Sequence, residues 1–272
     1  MIIDCFIFNN ELDMLESRLD YLNSYIDYFI IVEANKTHSG LDKKLVFESN
    51  KSRFDKYLNK IIYSPQLINE ERKDSWVLEA AQRDFIIHEL QKFSDDDVAI
   101  VSDVDEIPNP KLFESILKFL GEGDSRVARL EQSMFMYNLH NKQMIHWRRP
   151  YIAKVKTILQ QTPSWLRSRD EKDIYHNFTI RPDGNYPEIH SQLFIDGGWH
   201  LSYFMNANQI VNKIESFGHT EYNSAKIKDL ARIQKCIDDE IDVFERSIVQ
   251  EKIDAEQEFT QEFLSCFNRL GT

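Results

Sequence analysis

Hydrophobic and polar residues along the first hundred positions follow the pattern of buried strands joined by amphipathic helices. Apolar runs predict strands at Ile2–Phe8, where Asp4 is the one polar residue, and at Tyr28–Val32 and Val98–Val101, because a strand covered on both faces of a sheet has no polar side. Between the first two strands, apolar residues recur every 3 or 4 positions from Leu12 to Ile26. This spacing predicts a helix capped by Asn10. The order of elements is typical of a parallel, doubly wound sheet.

The other elements follow from weaker patterns and from cap signals. Asn109-Pro110 and Gly121 are typical of the start and end of a helix. From Arg126 to about Ile195, short aromatic and basic runs predict mixed or antiparallel strands with long loops. The remaining predictions are a short helix at Ser52–Leu58, a strand at Lys60–Tyr63, a long helix from Asp74 or Ser75 to about Phe93, a glycine turn at Asp196–His200, a helix near Asn208–Phe217, and two helical stretches from Ala225 onward.

Composition narrows the range of functions. The chain has 272 residues, is 42% hydrophobic and carries a formal net charge of −12, which disfavours non-specific binding to nucleic acid. The three cysteines lack metal-ligand spacing, so we expect reduced thiols. The sequence shows neither a signal peptide nor an apolar run long enough to span a membrane. We therefore expect a cytoplasmic protein without a transmembrane segment, although peripheral contact with a membrane remains open.

The most informative motif is Asp103-Val104-Asp105, which follows the predicted strand Val98–Val101. In open α/β sheets, ligands bind at the carboxyl ends of strands. Two acids spaced i, i+2 in an extended chain point to the same side. Paired carboxylates at such an edge suit a hard divalent cation bound to a nucleotide diphosphate. An ordinary solvated strand end is the alternative, because aspartate is common in turns.

Two further segments offer candidate contacts to a nucleotide. Arg83 could reach a diphosphate with its guanidinium, or it could form an ordinary i, i+4 pair with Glu79 on an exposed helix. Glu33 ends the second strand, on the same edge as the aspartate pair if the strands are parallel. It could contact a nucleoside base or ribose, or lie in a plain surface loop.

Glycine, aromatic and histidine residues lie together near position 200. Gly198 permits close approach of the backbone to a ligand, with Trp199 and His200 beside it. His200 is the first candidate for a third metal ligand beside Asp103 and Asp105, and His219 is the second. For a general base we select Glu221 first and Asp196 second; the ordinary alternative for Glu221 is an acid at a helix N-terminus.

Taken together, these segments resemble glycosyltransferase family 17. The resemblance rests on residues 4–13, Tyr28–Asn35, Ser102–Pro108 and Gly198–His200. It implies an α/β GT-A fold, a Rossmann-like mixed sheet flanked by helices. The sequence has no internal repeat and no low-complexity linker, so we expect a single domain over residues 1–272. Residues 1–108 would bind the nucleotide sugar, residues 109–222 would form the acceptor side, and residues 223–272 would form C-terminal helices.

The resemblance also implies a reaction and assigns roles to residues. A sugar, N-acetylglucosamine in characterised members, would pass from a UDP-sugar to a glycan or glycolipid-type acceptor with inversion, aided by Mn²⁺ or Mg²⁺. Asp103 and Asp105 would be the family's Asp-x-Asp motif, Glu33 would lie in the donor pocket, and His200 would lie beside it.

Three alternative functions stay open from the sequence. They are a metal-dependent nucleotidyltransferase, a sugar-nucleotide hydrolase, and a non-catalytic module that binds sugar nucleotides. Asn9-Asn10-Glu11 follow the first strand, where nucleotidyltransferases usually have a basic, glycine-rich loop. This difference weighs against the first alternative.

Overall fold

The computed structural model describes residues 1–69, 74–168 and 189–270. The first half alternates strands and helices and ends at the aspartate motif. Its elements are β1 (Ile2–Phe8), α1 (Leu12–Leu22), β2 (Tyr28–Ala34), α2 (Val46–Ser49), a 3₁₀ segment (Lys51–Tyr57), β3 (Ile61–Gln66), α3 (Ser75–Asp84), α4 (Ile87–Leu90) and β4 (Val98–Asp103).

The second half adds longer strands and the C-terminal helices. Its elements are β5 (Glu106–Pro108), a 3₁₀ segment (Pro110–Leu112), α5 (Phe113–Gly121), β6 (Arg126–Met136), β7 (Asn141–Trp147), β8 (Tyr151–Lys154), α6 (Val155–Gln161), α7 (Pro163–Ser168), β9 (His190–Ser202), α8 (Ala207–Ser216), a 3₁₀ segment (Thr220–Tyr222), α9 (Leu230–Asp238), β10 (Gln250–Lys252), α10 (Ala255–Glu258) and α11 (Gln261–Phe267).

The described strands form one sheet that is parallel on one side and mixed on the other. β4, β1, β2 and β3 are parallel neighbours in that order. β8 lies between β4 and β6 and runs antiparallel to both. β6 also pairs in parallel with β9 along most of its length. The apolar runs are buried on both faces: Phe6 and Ile100 pack in one core cluster, Cys5 and Val101 in another. The predicted α/β class with a Rossmann-like mixed sheet flanked by helices is confirmed.

The predicted glycine turn at Asp196–His200 is wrong, because these residues lie inside β9. β9 passes between β5 and β6, and its register against β6 shifts between Leu130 and Gln132. A side chain at Gly198 would place its Cβ 2.0 Å from the Ile107 carbonyl oxygen. The glycines therefore allow close packing of neighbouring strands at a bulge and not a reversal of the chain.

Two helix predictions also need correction. The predicted helix from Asp74 or Ser75 to Phe93 is interrupted at Phe85 and Ile86. There the hydrogen bonding changes to the tighter i→i−3 type, in which the Ile86 N–H donates to the Arg83 carbonyl. The region predicted as strands from Arg126 to Ile195 contains helices α6 and α7. The part of that prediction at residues 169–188 lies outside the described residues. None of the described helices is long and apolar enough to cross a membrane.

Candidate functional site

The Asp103-Val104-Asp105 motif lines a cavity of about 600 Å³. Phe8 and Asn9, at the end of β1, line it too, so the cavity lies at the carboxyl ends of adjacent parallel strands, where ligands bind in open α/β sheets. Residues of α3, α7, α8 and β9 and of the loop after β2 also line it. Although the chain is acidic overall, the lining includes several basic side chains: Lys36, Lys43, Arg83, Arg149, Arg167 and Lys213.

Arg18 holds the backbone of the motif through hydrogen bonds from the protein interior. Its side chain is fully buried and forms a bidentate pair with Asp4, with N···O distances of 2.8 and 2.6 Å. Its Nη1 group donates to the carbonyl oxygens of Asp103, Val104 and Glu106 at 3.0, 3.3 and 2.8 Å. A buried charge with this many partners holds the loop in one conformation.

Both carboxylate oxygens of Asp103 accept from arginines. Arg83 Nη1 donates to Oδ1 at 2.7 Å, and Arg167 Nη2 donates to Oδ2 at 2.6 Å. Partial burial opposes ionisation of Asp103, but Arg167 and Arg83 outweigh it and hold the pKa of this carboxyl at about 2. Arg83 also pairs with Glu79 at 2.9 Å. The i, i+4 pair, which was the alternative to a ligand contact, is thus present, but Arg83 is buried and the same guanidinium reaches the motif.

Glu106 connects the motif to α7. Its fully buried carboxylate accepts from both terminal nitrogens of Arg167 at 2.7 and 2.8 Å and from the Asp103 backbone N–H at 2.7 Å. Trp147 Nε1 also donates to it. Arg167 is therefore held in place by a group other than Asp103, and its position does not depend on the aspartate alone.

Asp105 faces a different set of cations. Lys213 of α8 donates to Oδ2 at 2.8 Å, and His200 Nε2 of β9 lies 3.8 Å from Oδ1. Burial opposes ionisation of Asp105, but Lys213 and His200 hold its pKa well below the usual range. Burial by itself would lower the pKa of Lys213, yet Asp105 and Glu11 raise it above its ordinary value. The pair is therefore charged at neutral pH.

Asp105 and His200 are the site residues that fit a divalent cation. Their 3.8 Å separation is too long for a hydrogen bond, so Asp105 Oδ1 and, in the neutral ring, His200 Nε2 could both bind a metal. Within residues 1–69, 74–168 and 189–270, no cluster of three or more potential ligands occurs. A cation here would need substrate phosphate oxygens and water to complete its coordination, which is common for Mg²⁺. Asp103, with both oxygens bonded to arginines, is less free than predicted to act as a ligand.

The structure places three predicted donor-binding residues away from the cavity lining. Glu33 is buried, and its carboxylate accepts from Lys43, from the Tyr63 hydroxyl and from two backbone N–H groups at the start of α2. Gly198 packs against β5. Trp199 points to the opposite side of β9 from His200 and contacts Phe263, with ring centroids 4.4 Å apart.

The two predicted bases are exposed and are not among the residues that line the cavity. Glu221 pairs with His219 Nδ1 at 2.7 Å, and this hydrogen bond lowers its pKa. Asp196 has a positive φ of 58° in β9, and its carbonyl oxygen accepts from Asn109. His219, the second candidate for a metal ligand, lines the cavity beside Trp76, with ring centroids 4.7 Å apart.

Arg18, Glu106, Arg167 and Lys213 were missed by the sequence reasoning. Glu106 follows the motif directly, and Lys213 lies on a predicted helix, so both had a positional signal. Arg167 belongs to α7, which was not predicted, and Arg18 looks like an ordinary polar residue of α1. Long-range packing creates their roles, since Arg18 contacts residues 84 to 88 positions away.

Comparisons with solved structures give low similarity. A mannose-6-phosphate isomerase from Helicobacter pylori matches with a TM-score of 0.38 and 8% identity, over 59% of this chain and 73% of that chain. A 4-diphosphocytidyl-2C-methyl-D-erythritol synthase matches with a TM-score of 0.39 and 10% identity, over 72% and 88%. Neither match is close enough to bear on function.

Curated relatives match a shorter part of the chain. The beta-1,4-mannosyl-glycoprotein 4-beta-N-acetylglucosaminyltransferases of Rattus norvegicus and Homo sapiens are each 29% identical over 115 residues. The Mus musculus protein is 28% identical over the same length. Each match covers 39% of this chain but only 21% or 22% of the relative, so the chain spans about a fifth of the curated relatives it matches.

The family comparison covers nearly the whole chain. The model of glycosyltransferase family 17 matches residues 1–253, a range that contains the aspartate motif, the basic cavity lining and His200. The chain therefore belongs to glycosyltransferase family 17.

Proposed function

We propose that the protein is an inverting, metal-dependent transferase that moves N-acetylglucosamine from UDP-N-acetylglucosamine to a glycan or glycolipid-type acceptor. One observation carries this proposal: the aspartate pair at the end of β4 lines a cavity with six basic side chains in its lining. A nucleotide diphosphate needs such positive charge at the carboxyl edge of a parallel sheet. The printed names of the mammalian relatives support the choice of sugar.

The cavity residues would bind and neutralise the diphosphate. Arg83 and Arg167 are fixed by Glu79 and Glu106, so their remaining donors are preorganised for phosphate oxygens. Asp105 and His200 would hold Mn²⁺ or Mg²⁺. Such a cation, when bound, adds positive charge that stabilises the departing UDP.

The acceptor hydroxyl must lose a proton while it attacks the anomeric carbon opposite the diphosphate. Attack from that side on an α-linked donor gives a β-linked product. We retain Glu221 as the first candidate for the base and Asp196 as the second. Glu221 is the better choice, because its partner His219 lines the cavity.

Release of UDP from a panel of UDP-sugars tests the proposal. With Mn²⁺ present, we expect release from UDP-N-acetylglucosamine that increases when glycan acceptors are added. Equal release in water alone would indicate a hydrolase, and pyrophosphate release from nucleoside triphosphates would indicate a nucleotidyltransferase. Binding of UDP-sugars without any release would indicate a non-catalytic module. Any of these three results would contradict the proposed function.

A further inference from the structure

A buried glutamine fixes the ring of His38 in the cavity. Gln82 of α3 is 4% exposed, and its Nε2 donates to the carbonyl oxygens of Phe8 and Val32 at 3.3 and 3.0 Å. These two carbonyls lie at the ends of β1 and β2 and cannot donate. They determine which end of the amide faces them, so Gln82 Oε1 faces His38 Nε2 at 2.8 Å.

This contact determines which nitrogen of His38 carries the proton. Gln82 Oε1 can only accept, so His38 Nε2 must donate, and in the neutral ring Nδ1 is then an acceptor. The closest carboxylate oxygen to Nδ1 is Glu79 Oε2, at 3.9 Å, which lies beyond hydrogen-bond distance. His38 lines the cavity, and its side chain is 20% exposed. A lone pair is therefore available to a ligand.

The turn that carries His38 is braced by its own hydrogen bonds and is tied to the end of α8. Thr37 N–H donates to the Leu41 carbonyl, and the Thr37 hydroxyl contacts Ser39. Ser39 in turn bonds to the carbonyl oxygens of Glu215 and Ser216 at the end of α8. The acceptor nitrogen is thus held at one place before a ligand binds, as selective recognition requires.

The position of His38 suits the base of a nucleotide whose diphosphate lies at the arginines. Neighbouring residues of α3 face the two regions: Arg83 bonds to Asp103 at the end of β4, and Gln82 bonds to His38 in the turn after β2. A nucleoside that extends from the diphosphate along the carboxyl edge of the sheet, past the end of β1, would bring its base near His38.

We propose that His38 determines specificity for uracil by accepting a hydrogen bond from the N3–H group of the base. Cytosine has a lone pair at N3 in place of this N–H group, so two acceptors would face each other. The inference rests on the proposed function and adds to it a residue that reads the base and a second, Gln82, that positions this residue.

Calorimetric titration of UDP and CDP, in the same buffer with Mg²⁺, tests the proposal without any transfer step. The wild-type protein should bind UDP at least about tenfold more tightly than CDP, a difference of about 1.4 kcal/mol, because CDP would bury two facing acceptors without a hydrogen bond. In His38→Ala the two affinities should differ by less than about threefold. His38→Asp, which restores an acceptor, should recover the preference even if both affinities fall.

His88→Ala is the matched control, since His88 is exposed on α4 and does not line the cavity; its UDP to CDP ratio should equal that of the wild type. An unchanged ratio in a folded His38→Ala protein would overturn the role of His38 and leave the proposed function standing. If the wild type binds neither nucleotide, both the proposed function and this inference are wrong.

Discussion

At the scale of single residues, the site depends on ion pairs that are buried and shared. Arg18 supports the backbone of the motif, Glu106 positions Arg167, and Lys213 faces Asp105. Several of these charged side chains share partners. Removal of one charged side chain therefore leaves its partners buried without a compensating charge. The aspartate motif is thus the cavity-lining end of a charged network that extends into the core.

Replacement of Arg18 tests this network. Arg18→Met should lower the free energy of unfolding by about 3–5 kcal/mol, because it leaves the Asp4 carboxylate buried without its partner. Urea denaturation measures the change. Arg53→Met is the control. Arg53 pairs with Asp13 and Glu16 of α1, the helix that contains Arg18, but its side chain is 34% exposed. Its replacement should lower the free energy of unfolding by no more than about 1 kcal/mol. Equal losses in the two variants would contradict the role of Arg18.

At the scale of elements, helix ends and a strand bulge bring the functional side chains into the cavity. The register shift in β9 gives Gly198 its close contact with β5 and leaves His200 opposite Glu106. α8 begins at a capping box, in which Asn206 and Gln209 bond reciprocally, and it carries Lys213 to Asp105. In α8, therefore, a local sequence signal fixes the start of the helix whose Lys213 makes a long-range contact.

Removal of the α8 cap gives a prediction for this element. Asn206→Ala should lower the free energy of unfolding by about 1 kcal/mol, because the Gln209 backbone N–H loses its acceptor. Thermal or chemical denaturation measures the loss. Asn208→Ala removes an exposed asparagine of the same helix and should cost less than about 0.5 kcal/mol. If the two substitutions cost the same, the capping box does not stabilise α8.

At the scale of the whole molecule, the sequence predicts the parallel half better than the mixed half. Apolar runs at Ile2–Phe8 and Val98–Val101 correspond to β1 and β4, since burial on both faces leaves a clear local pattern. β9 and α7 lack such a pattern, because their residues are selected by contacts to distant strands. For the same reason the sequence indicates Asp103 and Asp105 but not Arg167, which lies 64 residues from Asp103 in sequence and bonds to its carboxylate.

The role of Asp105 can be tested by the rate of UDP release from UDP-N-acetylglucosamine in the presence of Mn²⁺, compared between the wild type and Asp105→Asn. We expect the rate to fall at least about 100-fold, because asparagine keeps the shape but removes the charge that would hold the cation. Circular dichroism confirms the fold, and Asp124→Asn, at an exposed aspartate outside the cavity, should keep the wild-type rate. A folded Asp105→Asn protein that releases UDP at the wild-type rate would contradict the account.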